Sequence, residues 1–269
     1  MTQQNDGGQL QMLKLTKDVI QWIKDYYKDN PEGKAIIGIS GGKDSTICAA
    51  LLVEALGADR VIGVLMPNGV QSDIDDSYKV CEYLGIYSLE VNIEDAYEGI
   101  RENISAALAA NYAEQPYTSV YGNHMIHTNL PSRLRMATLY AVAALYPNSR
   151  VVNTSNWSER YIGYCTKGGD TVADFSPLGN LTVREVLMIG DDLGLPHGLV
   201  HKTPSDGMSG KSDEEKIGFT YEELDNYILY VEDGLSDVTV AKIEKMHKAN
   251  THKLVEMPTF VPMGRSAWI

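Results

Sequence analysis

The chain has 269 residues, 43% hydrophobic and 22% charged, with 23 Lys and Arg against 36 Asp and Glu for a net charge of −13. That composition is globular, and one α/β domain accounts for the length. The acidic balance repels a nucleic-acid backbone, no apolar run reaches membrane-spanning length, and the polar start Met1 to Gly8 lacks a cationic-then-apolar leader; the expected setting is cytoplasmic, without nucleic-acid or membrane partners. Cys48, Cys81 and Cys165 are widely spaced, with no C-x-x-C pair to suggest a zinc ribbon or a redox couple.

In chain order, Leu13, Val19, Ile20, Trp22 and Ile23 fall at helical spacings and predict an amphipathic helix over about 12–29. Strands are predicted at Ala35 to Ile39, Val61 to Met66, Tyr87 to Val91 and Arg150 to Asn153. Helices are predicted at Thr46 to Leu56, Ser72 to Leu84, about Glu94 to Ala110, Arg133 to Tyr146, Thr182 to Leu193, Tyr221 to Tyr230 and Val238 to Lys248. Tyr112 to His127 is turn-rich and aromatic, with order returning at Pro131. Continuous apolar strands alternating with helices predict an α/β fold: a doubly wound, mostly parallel sheet with helices on both faces, in a single domain over 1–269. Its nucleotide-binding core spans about 34–200. The Ser-, Gly- and Asp-rich stretch of about 203–219 reads as a flexible lid, and 221–249 as C-terminal helices. Ligands bind at the carboxyl ends of strands in such sheets, so the loops Ser40 to Ser45, Pro67 to Gln71 and Thr154 to Glu159 are expected to share one crevice.

The chemistry begins at Ile36-Ile37-Gly38-Ile39-Ser40-Gly41-Gly42-Lys43-Asp44-Ser45-Thr46, a buried strand that breaks into small residues and restarts as a helix. Asp44 separates Lys43 from Ser45, so the Walker-A requirement fails and Ser-Gly-Gly-x-Asp-Ser remains. Glycines admit a ligand to the backbone, the first helical N–H groups point at it, and Ser40 and Ser45 carry hydroxyls. Asp44, an anion inside an anion site, calls for a cation beside it, and Mg²⁺ on polyphosphate oxygens suits that place.

This loop resembles that of the N-type ATP pyrophosphatases, which split ATP between its α and β phosphates. Further along, Asn129-Leu130-Pro131-Ser132-Arg133-Leu134-Arg135-Met136, Asn156-Trp157-Ser158-Glu159, Gly163 to Asp170, Phe175-Ser176-Pro177-Leu178, Lys202-Thr203-Pro204-Ser205 and Thr251-His252-Lys253 resemble, in order and spacing, the blocks of the ammonia-dependent NAD synthetase family. The resemblance implies a homodimer that joins nicotinic acid adenine dinucleotide (deamido-NAD) to ammonia, consuming ATP with Mg²⁺ and releasing AMP and pyrophosphate. It implies ATP contacts from Gly38, Ile39, Ser40, Gly41, Gly42, Lys43, Asp44, Ser45, Thr154 and Ser205, and metal ligation by Asp44 and Glu159. It implies deamido-NAD contacts from Arg133, Lys167, Asp174, His252 and Lys253, with Asp44, Lys167 and Asp174 nearest the chemistry. A carboxylate near the incoming nitrogen can hold ammonium and accept its proton, and that role is the hypothesis for Asp174. Departures are Val183 and Pro131, where relatives carry Lys, and Asn68, where they carry Tyr; either Arg184, Lys43 or Lys211 stands in for the cation lost at Val183, or nucleotide affinity is weaker, and Lys43 occupies the variable place of the loop signature, where a charge can be incidental. The alternatives are another amide-forming or thiolating ATP pyrophosphatase, such as a GMP-synthase-like or tRNA-modifying enzyme, and a non-catalytic nucleotide-binding regulatory module.

Overall fold

The structure, a computed structural model, describes residues 5–71, 73–111, 119–201, 212–231 and 235–263. Its centre is a sheet of four parallel strands among these residues: β1 (Ala35–Gly38), β2 (Val61–Leu65), β3 (Tyr87–Glu90) and β4 (Arg150–Val151), in the order β3-β2-β1-β4. Ile36 of β1 pairs with Ile62 of β2 on one side and Val151 of β4 on the other. β2 is buried at every position, which is why it reads as an unbroken apolar run: a parallel strand is covered on both faces. Strand order reverses between β1 and β4, so the switch-point crevice opens between the loops that follow these two strands.

One face of the sheet is covered by α1 (Asn5–Tyr26), α2 (Lys43–Leu56), α3 (Ile74–Leu84) and α7 (Val183–Asp192), packed around Ile37, Ile47, Leu51, Leu52, Val186 and Ile189. Each such side chain, fully buried, contributes about 1.5–3 kcal/mol. α7 approaches α2 so closely that a Cβ on Gly190 would stand 2.9 Å from both Ile47 and Val200. The other face carries α4 (Glu94–Asn111) and α5 (His124–Ala143), with Leu134, Leu139 and Val142 over Ile36, Val64 and Val151. A third cluster joins α6 (Trp157–Ile162) to α7, α9 (Asp213–Ile217), α10 (Tyr221–Ile228) and α11 (Asp237–Asn250); α8 (His197–Val200) bridges α7 and α2. No described helix is long and apolar enough to cross a membrane.

Several expectations need correction. The helix predicted from Arg133 begins at His124, because Asn123 caps it by accepting from the amides of Met125 and Ile126, and Pro131 lies inside it rather than at its start. The predicted lid of 203–219 is in its second half a capped helix: Ser212 and Glu215 close a capping box, and Ile217 and Phe219 are buried in the third cluster. Ser205 and Lys211 lie outside the described residues. The first helix starts at Asn5 rather than near residue 12, and α6, α8 and α9 are short elements the spacing did not announce.

Candidate active site

The phosphate loop folds as its sequence requires. Gly41 holds φ +73, and a Cβ there would meet Ser77 N at 3.0 Å, so only glycine fits. Gly42 caps α2 without a side-chain bond, leaving the first-turn amides of a fourteen-residue helix facing the crevice. The two serines do something other than reach outward. Ser40 Oγ lies 3.1 Å from Ser45 Oγ and accepts from Gly42 N at 3.3 Å, while Ser45 Oγ donates to Gly42 O at 3.0 Å. Their hydroxyls knit the loop into shape.

Asp44 and Glu159 come together. Asn156, at the end of the loop after β4, donates from Nδ2 to Asp44 Oδ1 at 3.1 Å. The same residue caps α6, its Oδ1 accepting from Glu159 N at 2.9 Å, while Glu159 Oε2 accepts from Asn156 N at 3.3 Å. This capping box fixes the Glu159 carboxylate at the crevice. Burial first and then the neighbouring Asp44 charge push the Glu159 pKa up to about 8, with Lys43 opposing. A carboxylate made costly to ionise by burial and by a second carboxylate beside it marks a place for a cation. The pattern Asn156-x-x-Glu159, readable as a helix start, was the signal for Asn156.

The cation already beside Asp44 is Lys43, whose Nζ lies 2.6 Å from Asp44 Oδ2 with the side chain 8% exposed. Burial works against its charge, but Asp44, Glu159 and Asp213 outweigh it and push the pKa up. Lys43 is therefore held, charged, against the carboxylates rather than turned to solvent. Val183 is buried in the third cluster, and Arg184 is turned to Asn226 Oδ1 at 2.7 Å. Of the two described cations weighed as stand-ins for the lysine missing at Val183, Lys43 is the one at the carboxylates. Asp213, which acts electrostatically on Lys43 and Glu159, and Tyr221, whose ring lies under Lys43 Nζ, belong to the same neighbourhood and were not singled out from sequence. Thr154 sits partly buried in the loop after β4, two residues before Asn156. Gly38 and Ile39 lead from β1 into the loop, with Ile39 N bonded to Val64 O.

A second group is linked but open. Arg133, exposed on α5, donates from Nε to Lys167 O at 3.2 Å, and Lys167 Nζ donates to His252 O at 2.8 Å. Lys253 turns inward, its Nζ donating to Gly163 O at 2.9 Å and Cys165 O at 3.0 Å at the carboxyl end of α6, where a cation is favoured. Asp174 lies apart from the Asp44 pair: its carboxylate accepts from Val151 N at 2.7 Å and Tyr140 Oη at 3.2 Å, level with Ile36 rather than with the phosphate loop.

With this geometry in place, the comparisons decide the family. A model described as NAD synthase matches residues 15–260. The chain belongs to the NAD synthase family. An ammonia-dependent NAD⁺ synthetase from Alkaliphilus metalliredigens is 34% identical over 254 residues, covering 93% of this chain and 98% of the relative. Another from Thermococcus sibiricus is 36% identical over 222 residues, covering 82% and 81%. Among solved structures, an NMN synthetase from Francisella tularensis aligns with a TM-score of 0.79 and 31% identity, covering 91% of this chain and 97% of that one. The NAD synthase assignment removes the rival GMP-synthase-like, tRNA-modifying and regulatory-module readings, and the parallel sheet with helices on both faces is the fold expected from sequence.

Proposed function

We propose that this chain amidates deamido-NAD with free ammonia at the expense of ATP, giving NAD, AMP and pyrophosphate. A carboxylate does not condense with an amine at neutral pH, because hydroxide is a poor leaving group. An oxygen of the nicotinate carboxylate attacks the α-phosphorus of ATP, the bond to the bridging oxygen breaks and pyrophosphate leaves. Ammonia then attacks the carbonyl carbon of the mixed anhydride; the C–N bond forms, the C–O bond breaks, AMP leaves and the nitrogen gives up a proton.

The residues divide this work. The loop from Gly38 to Ser45 holds the phosphates, its helix amides lying where charge grows. Thr154 and Ser205 add ATP contacts. Arg133, Lys167, His252 and Lys253 serve the dinucleotide, cations suited to a diphosphate and a carboxylate; Lys253 acts through the loop it holds. Asp174 receives the proton of the incoming nitrogen. Asp44 and Glu159 suit Mg²⁺, a metal bound through one or two carboxylates with phosphate oxygens; the mutual repulsion that lifts Glu159 is the observation that supports the fit. When bound there, the ion supplies positive charge against the phosphate oxygens. Asp44 and Glu159, far apart in sequence, meeting through Asn156 is the observation that carries this reading.

The likeness to the F. tularensis NMN synthetase favours a second reading of the acceptor, in which the acid is nicotinic acid mononucleotide. The homodimer is supported by α5, twenty residues long yet burying only Pro131, Val142 and Ala143, beside Ile100, Ile104 and Met125 exposed on the same layer. The deciding experiment supplies ATP, Mg²⁺, ammonium and either acid, and follows AMP with the amidated product, on protein sized by sedimentation. AMP and NAD in equal amounts are expected from a dimer; ADP as product would sink the reading, and faster turnover of the mononucleotide would move the chain to the second one.

A further inference from the structure

Tyr221, the first residue of α10, is 5% exposed, and its hydroxyl has no hydrogen-bond partner among the described residues. A buried O–H without an acceptor carries the full desolvation penalty of the group, so proteins seldom keep one idle. The residue itself is firmly held. Tyr221 N donates to Glu214 Oε1 at 2.8 Å, Thr220 and Glu223 close a capping box around it, and it belongs to the buried cluster that includes Ile162, Val183 and Leu224. Beneath α10, Asp225 accepts from Ser158 Oγ and from Arg184 N, tying the helix to α6 and α7.

The location is specific. Lys43 Nζ stands 5.6 Å from the centre of the Tyr221 ring, and Lys43 is the first residue of α2. The ring therefore stands beside the ammonium that is paired with Asp44 in the first turn of α2. Lys43, Val183, Ser212, Asp213 and Tyr221 line one cavity of about 440 Å³. Burial, then Glu159, Asp213 and Asp44, push the phenol pKa up, so the group stays a neutral donor. None of those carboxylates accepts from it, and Asp44 is taken by Lys43 and Asn156. An acceptor oxygen arriving in the cavity would give the hydroxyl the bond that the folded chain denies it.

We propose that Tyr221 is a further nucleotide-contacting residue, its hydroxyl donating to a phosphate oxygen of ATP seated at the start of α2, beside the Lys43 ammonium. This rests on the reading that the phosphate loop holds ATP. Tyr221→Phe removes one oxygen and keeps the ring under Lys43.

The test titrates the full chain with ATP and Mg²⁺ in a calorimeter, without deamido-NAD or ammonium, and records the melting temperature of the ligand-free protein. The variant is expected to bind ATP about tenfold or more weakly, the loss typical of a hydrogen bond to a charged group. Its melting temperature should match or exceed that of the wild type, because an unbonded buried hydroxyl has gone. ATP affinity equal to the wild type overturns the proposal while leaving the function intact. A clearly lower melting temperature also overturns it, since the hydroxyl would then be bonded within the protein. A wild-type chain that fails to bind ATP overturns both this and the reading beneath it.

Discussion

Around the start of α2, charged and polar side chains meet one another: Lys43 on Asp44, Asn156 on Asp44, Asn156 and Glu159 on each other. Across α5 and the loop after α6, Arg133, Lys167 and Asp174 are exposed, and the two cations bond to backbone carbonyls. The first region is closed and electrostatically tuned. Charges there act through a low dielectric and would need no rearrangement if, as proposed, phosphate charge grows beside them. The second is an open surface on which a large substrate can lie, held in place by loop geometry. Changes in the first should therefore strike the rate of chemistry, and changes in the second should divide binding from individual steps.

Asp44→Asn offers the harshest test of that contrast. The amide keeps the shape and an oxygen for Asn156 Nδ2, so the fold should persist, but the charge facing the phosphates is lost. Adenylation, followed as exchange of labelled pyrophosphate into ATP in the presence of deamido-NAD, is expected to fall by about 10²–10³ or more. A loss of less than tenfold would show that the metal is held elsewhere and that the closed region is not the site of the first step.

Asp174→Asn asks whether the open region does chemistry. Its side-chain oxygen can still accept from Val151 N, and its NH₂ can donate to Tyr140 Oη, so local structure should hold. If the carboxylate takes the proton from the incoming nitrogen, amide formation should drop by about 10²-fold while pyrophosphate exchange changes little. Equal losses in both half-reactions would make Asp174 a binding or structural residue. The structure sharpens the stakes, because both carboxylate oxygens already accept hydrogen bonds and lie level with the middle of the sheet.

What the sequence disclosed follows the same division. β1, β2 and the phosphate loop were legible because buried parallel strands are apolar throughout and because Gly41 has one physical reason to be glycine. α5 was misread at its start because apolar residues surround it instead of forming a stripe, and Pro131 looks like a first-turn residue while occupying the interior. Lys43 looked incidental because its role depends on two loops meeting, and Tyr221 because an unbonded hydroxyl has no signature in spacing. Local patterns report what neighbours in the chain do to one another; contacts between α2, α6 and α10 are settled only by packing.

The gentlest test concerns stability, and it returns to the closed region. Burial and the Asp44 charge push Glu159 up from 4.5 to about 8, so between these values the folded state holds a proton that the unfolded state has lost. Stability then falls as pH rises: the contribution is full below about pH 4.5 and is lost through pH 8. Glu159→Gln cannot titrate, and Gln can keep the bond from Asn156 N. Melting temperatures measured without divalent cations should show the wild type losing ground steadily relative to the variant between pH 5 and 8, by a degree or more for each few tenths of a kcal/mol at this chain length. A constant difference across that range would mean that Lys43 keeps Glu159 ionised throughout. The carboxylate pair would then be neutralised from within, and the need for an outside cation at the closed region would be correspondingly weaker.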